Sequence, residues 1–212
     1  MDIKAKSFWV LILFLLVTAS CNAQKKSKPK THIGGDCEGC EAIFEYRDKN
    51  LTSTDTLPEF QNNEPKLKIT GTVFKMDGKT PAKDVVLYIY HTNRQGIYAT
   101  KGDEKGWAKR HGFIRGWVKT DTNGLYTFYT FRPASYPDRK EPEHIHLTVK
   151  EPNKNEYYLD DYVFDDDPIL TPAKREKLRN RGGSGIMKPI VEDDILSIRR
   201  DIILGHNVPD YE

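Results

Sequence analysis

Thr120-Asp121-Thr122-Asn123-Gly124-Leu125-Tyr126-Thr127-Phe128-Tyr129-Thr130-Phe131 carries the clearest fold signal in the chain. Asn-Gly suits a tight hairpin turn because both positions accept positive φ. The seven residues after it alternate in character, the two-residue period of a strand with one buried face. Earlier in the chain, Leu67–Phe74 alternates in the same way and ends in the turn signal Met76-Asp77-Gly78-Lys79. Val85–Tyr90 is a dense β-branched and aromatic run, Gly116–Lys119 leads into the quoted turn, and His144–Val149 forms a short strand after Pro142. Strands and turns with no long amphipathic helix predict an all-β fold, an antiparallel β-sandwich with long loops and one short late helix. That helix has Thr171 as N-cap and Pro172 in its first position, runs through Ala173–Leu178 and stops before Arg181-Gly182-Gly183. Residues 193–204 read as strand-like, and no internal repeat is visible.

Composition agrees with a folded, aromatic-rich domain. The 212 residues include 11 Tyr, 9 Phe and 3 Trp, and 33 Lys+Arg against 31 Asp+Glu leave a net charge of +2. Disorder pairs few aromatics with high net charge, and nucleic-acid binders carry a strongly basic face; neither pattern is present.

The N-terminus reads as an address. Lys4 and Lys6 precede the apolar run Phe8–Val17, which is too short to span a bilayer as a helix. A basic start, a short apolar stretch and small residues make a secretory signal. The ending Thr18-Ala19-Ser20-Cys21 resembles a bacterial lipoprotein signal, with residues 1–20 removed and Cys21 lipidated; cleavage after Ala23 is the alternative. The expectation is an exported protein on a membrane through its lipid anchor, periplasmic or at the cell surface, with a soluble secreted form as the other option. Residues 21–64 form a Lys-rich tether and an arm bearing Cys37-Glu38-Gly39-Cys40, and residues 65–212 form the main domain. In an oxidising compartment Cys37 and Cys40 suit a local disulfide clip. A zinc site would need two further ligands, and a thioredoxin-like role would need a βαβ context. The arm itself reads as a lid, a dimer contact or a clip.

His144-Ile145-His146 carries the sharpest chemistry. Residues two apart on a strand share a face, so both imidazoles can grip one metal ion, be it zinc, copper or iron. Tyr136, between Ser135 and Pro137, and Tyr98, after Asn93-Arg94-Gln95-Gly96-Ile97, would each be an ordinary loop tyrosine in isolation.

Together these segments resemble the intradiol ring-cleavage dioxygenases. The resemblance rests on Asn93-x-x-Gly96-x-Tyr98, then Phe113-Ile114-Arg115-Gly116-Trp117-x-x-Thr120-Asp121-x-x-Gly124-x-Tyr126, then Pro133-x-x-Tyr136-Pro137 and Pro142-x-His144-Ile145-His146. It covers about residues 66–168 and implies a β-sandwich in which Tyr98, Tyr136, His144 and His146 hold a non-haem Fe(III). Two phenolates and one hydroxide would neutralise that charge, and anionic oxygen ligands favour ferric over ferrous iron. It further implies that a catechol displaces Tyr136, that O2 opens the ring between the hydroxylated carbons, and that a muconate-type diacid results. Tyr98 and Tyr136 would thus be catalytic as well as metal-binding. A homodimer is common in the family, and no sequence feature decides it here.

Two positions depart from the family pattern. Glu141 stands where the family has Arg, and a rough alignment puts Asp161 where it has Gln. Losing a cation beside the reacting ring removes a stabiliser of developing negative charge. Arg110 or Arg115 could supply it, or an acidic pocket could select catechols with a cationic tail. The competing readings are a non-catalytic β-sandwich binding module and an iron-binding protein without turnover. Asp160-Asp161 and Asp165-Asp166-Asp167 lack EF-hand spacing and read as solvated acidic loops. His91 and His111, near the Tyr98 segment, either support the site from behind or serve in the core or at the surface, and Trp107 and Trp117 with Arg110 and His111 either line the substrate mouth or pack.

Overall fold

Leu125–Phe131 pairs along its length with Lys66–Phe74 in the computed structural model, which describes residues 32–212. In chain order the strands are β1 (Thr54–Thr56), β2 (Lys66–Phe74), β3 (Val86–Tyr90), β4 (Arg115–Lys119), β5 (Leu125–Phe131), β6 (His144–Lys150), β7 (Tyr157–Tyr158), β8 (Tyr162–Phe164), β9 (Ile186–Met187), β10 (Ile190–Glu192), β11 (Ile195–Arg199) and β12 (Ile202–Ile203). They form two sheets. One runs β1-β5-β2-β11-β10 with β12 also on β2; the other runs β4-β3-β6-β8-β9 with β7 also on β6. The expected all-β sandwich is present. Along β5 the inward residues are Tyr126, Phe128 and Thr130, so the alternation buries what its period predicts. Tyr126 and Phe128 join Leu87, Ile89, Ile145 and Leu147 of the opposite sheet in one apolar core.

The central ladders are antiparallel, but β1–β5, β2–β11, β2–β12 and β8–β9 are parallel. Parallel neighbours need long crossovers, and β2 is separated from β11 and β12 by most of the domain. The strand-like reading of residues 193–204 is realised as β11 and β12.

The late helix is shorter than Ala173–Leu178. It is a single turn, α2 (Pro172–Arg175), after an unforeseen turn α1 (Ala108–His111). Beyond α2 the backbone tightens through Lys177 N–H to Lys174 O (3.1 Å) and Leu178 N–H to Arg175 O (3.2 Å), and Asn180 at φ 54° turns the chain away. Thr171 caps without a side-chain hydrogen bond, so little holds a longer helix.

The arm is built onto the sandwich. The 3-10 helix Cys40–Tyr46 buries Ala42 and Ile43 against Tyr88 and Trp117. β1 pairs with β5, Leu57 enters the main core, and Asp55 Oδ2 accepts Trp117 N–H at 2.9 Å. Cys37 and Cys40 are joined in a disulfide. The signal segment and Cys21 lie outside the described residues. Among the described residues no helix is long and apolar enough to cross a membrane.

Candidate metal centre

β6 places His144 and His146 on one face, while Ile145 between them is fully buried in the core. Each imidazole is pinned from behind. His144 Nδ1 donates to Pro142 O at 2.7 Å, and His146 Nδ1 donates to Asp161 Oδ1 at 3.1 Å. A carbonyl or carboxylate oxygen can only accept, so the proton sits on Nδ1 and each Nε2 presents a lone pair forward. Burial lowers the pKa of His144, which favours the neutral form of that ring.

The tyrosines arrive on loops. Asn93 Oδ1 accepts Gln95 N–H (2.9 Å) and Ile97 N–H (3.1 Å), winding the loop after β3 into a compact turn. Gly96 has φ 76°, and a Cβ there would lie 2.1 Å from Ser135 O. Only glycine lets the Tyr98 loop lie directly on the Tyr136 loop. Thr92 Oγ1 donates to Ala134 O (2.7 Å) and fastens the two loops together.

Four donor atoms then converge. Tyr98 Oη lies 2.6 Å from Tyr136 Oη and 2.6 Å from His146 Nε2, and Tyr136 Oη lies 3.1 Å from His144 Nε2. Two phenols offer two protons for these three contacts, and the imidazoles offer none on this side. The cluster is therefore rich in lone pairs aimed at one point, the arrangement a cation satisfies. Burial raises the pKa of both phenols; for Tyr98 the bond to Tyr136 adds to it, and for Tyr136 nearby Asp161 and Glu141 do. Deprotonation at neutral pH thus demands a positive charge at the centre.

His144, His146 and Asp161 could also form a two-histidine, one-carboxylate set, since one ligand atom of each lies within 4.8 Å of the others. The hydrogen bonds argue against it: Asp161 engages the rear nitrogen of His146, while Nε2 faces Tyr98. Asp161 orients the His146 ring. Burial opposes its charge, but His146, then His144 and Arg200, hold its pKa below the ordinary value.

A column of rings supports His146. Tyr90, opposite it in the ladder, stacks on its ring (centroids 4.4 Å apart), and His111 stacks on Tyr90 at 3.8 Å and 5°. The sequence did not single out Tyr90; its hydrophobic strand pattern gives no sign that β3 will register against His146. His111 Nδ1 meets Tyr88 Oη at 2.9 Å, and His91 is bonded to Thr92 O and Thr130 Oγ1 within the core.

The remaining candidates separate. Glu141 borders the cavity beside Tyr136. Arg115 pairs with Glu45 of the arm at 2.5 Å, Arg110 pairs with Glu38, and neither lines the cavity. Trp107 packs on His111 and Trp117 on Tyr88. Asp165 and Asp166 pair with Arg175 and Arg132, and Asp167 accepts the N–H of Glu143, so that acidic loop is structural.

A two-sheet sandwich whose loops and central strand bring two tyrosines and two histidines to one point defines a class, the β-sandwich proteins with a donor cluster able to hold a non-haem metal. Within that class the comparisons are specific. A family model described as Dioxygenase matches residues 45–179. The chain is 28% identical over 139 residues to the protocatechuate 3,4-dioxygenase beta chain of Burkholderia cepacia, covering 57% of this chain and 59% of that relative's length. The fold matches catechol 1,2-dioxygenase from Acinetobacter sp. ADP1 (TM-score 0.54, 20% identity, 72% of this chain and 57% of that one). It also matches the dioxygenase domain of a dioxygenase–carbohydrate-binding fusion from Streptomyces sp. SirexAA-E (TM-score 0.51, 20% identity, 74% and 90%). The chain belongs to the intradiol dioxygenase family, which uses non-haem iron.

Proposed function

We propose that this protein is an Fe(III)-dependent dioxygenase that cleaves a catechol-type diol between its hydroxylated carbons, taking up O2 and giving a muconate-type diacid. The observation that carries the reading is the convergence of Tyr98 Oη, Tyr136 Oη and the two Nε2 atoms, with both Nδ1 atoms occupied behind. Hard anionic phenolates with neutral imidazoles suit a ferric ion. When bound, that ion supplies Lewis acidity that keeps the phenols ionised and makes a chelated catecholate open to O2.

The chain's own groups do the rest. His144 and His146 stay fixed, each bonded from behind through Nδ1. Tyr98, which does not line the cavity, anchors the centre; Tyr136 does line it and is the phenolate that gives way and accepts a proton from an entering catechol. Asp161 holds His146 in its tautomer. Glu141 adds negative charge at the rim, but Lys174 and Lys177 border the same cavity, so selection for a cationic tail is not favoured. Export and lipidation at Cys21 complete the proposal on sequence grounds alone, and place the activity outside the cytoplasm.

Colour and oxygen uptake test it. Iron-loaded protein should be red from phenolate-to-iron charge transfer and should consume O2 with catechol. Colourless loaded protein would overturn the ligand set, and red protein without oxygen uptake would leave an iron-binding sandwich without turnover.

A further inference from the structure

The cavity lined by Tyr136, His144 and His146 has a volume of about 710 Å³. A void of ~150 Å³ accommodates a benzene ring, so a bare catechol would use roughly a fifth of this space. The ring's place is fixed beside Tyr136 and His146. The remainder lies between the arm loop Asp36–Cys40 and the segments carrying Tyr158, Leu159 and Leu178.

Both walls are held open. The arm loop is closed by the Cys37–Cys40 disulfide and tied by the Glu38–Arg110 pair. Gly39 is seated so tightly on His111 that a Cβ would lie 2.8 Å from Nε2. Opposite, Arg179 Nη1 donates to Tyr158 Oη at 2.9 Å, and the Arg181 guanidinium lies over the Tyr158 ring at 4.1 Å. Pre-formed space with an ordered aromatic wall binds an apolar group without first having to be organised. Among the described residues, the lining charges without an ion-pair partner balance, Asp36, Glu141 and Asp160 against Lys174, Lys177 and Arg179, and leave no net preference for a charged group.

Resting on the dioxygenase reading above, we infer that the space beyond the metal centre is a substituent subsite, and that the substrates are catechols bearing an uncharged arm about one ring in size. Leu178 and Tyr158 recognise the arm, and the disulfide loop forms the facing wall.

The test compares 4-benzylcatechol with catechol by oxygen uptake, and titrates 4-benzylveratrole, which cannot chelate, into metal-free protein by calorimetry. kcat/KM should be at least about tenfold higher for 4-benzylcatechol, since even one extra methylene in an apolar pocket discriminates by that order. Leu178→Trp should bring the ratio near one and remove 4-benzylveratrole binding. Should that variant not fold, Lys177→Trp at the exposed rim fills the same space. Equal kcat/KM for the two catechols, or an unchanged ratio in the filled variant, overturns the subsite while leaving the dioxygenase reading intact. If 4-benzylveratrole binds and neither catechol is consumed, the subsite stands and the dioxygenase reading falls.

Discussion

The two halves of the proposed metal centre are built differently. The histidines stand on β6, hydrogen-bonded between β3 and β8, with each ring locked from behind. The tyrosines hang on two loops held to one another by Thr92, Asn93 and the contact at Gly96. A strand fixes direction through the ladder, whereas a loop fixes it through a few side-chain and backbone bonds and can yield. The difference suits the proposed reaction, in which the Tyr136 phenolate would leave while the imidazoles stay.

The largest effect should separate the fixed ligands from the yielding one. His146→Ala and Tyr98→Phe should each lower iron retention by more than the roughly 100-fold that loss of an outer partner costs. Tyr136→Phe should keep iron, weakened by about tenfold, with a shifted visible band. Metal analysis after dialysis against a chelator reads both. Equal loss in Tyr136→Phe would erase the distinction between the halves.

Next in size is Asp161→Asn. It keeps an acceptor near His146 Nδ1 but removes the charge that stabilises that tautomer, so iron affinity should drop about 10–100-fold. An unchanged affinity would mean that β6 alone orients the ring.

Gly96→Ala probes the loop half. Its φ of 76° and the 2.1 Å approach to Ser135 O predict a loss of about 1–3 kcal/mol in urea unfolding, with weakened iron binding. Stability lost with affinity retained would show that the Tyr98 loop re-seats without its contact to Tyr136.

How much of this the sequence disclosed depends on range. The alternation in residues 125–131 and the His-x-His spacing are local periodicities, so the strands and the shared imidazole face were legible. Tyr98 and Tyr136 carry no local mark and became candidates only through four motifs in order. Tyr90 was read as strand because its role depends on pairing with His146, 56 residues later in the chain. Arg110 and Arg115 looked available for an anion, but Glu38 and Glu45 of the arm hold them, and nothing local announces that pairing. The parallel edges and the single-turn α2 were missed for a related reason. Propensity and turn signals report neither crossovers nor the i→i+3 tightening that carries the chain from α2 to the turn at Asn180.

The smallest effect concerns the histidines that bind nothing. His111, beneath the rigid half, lies against Tyr88, Tyr90 and Trp107, and burial, then the charges of His146 and Arg115, lowers its pKa to about 4. Burial likewise lowers His91 to about 4. Both rings are depressed below the ordinary histidine value, near 6.5, so between about pH 6.5 and 4 the unfolded chain binds more protons than the native one. Stability should therefore be complete above that window and decline as pH falls through it. The urea midpoint at pH 7 should exceed that at pH 5, and His111→Gln should reduce the difference by removing one of the two buried bases. If that variant kept the full pH dependence, the ring column would not feel the proton, and the support beneath His146 would rest on stacking alone.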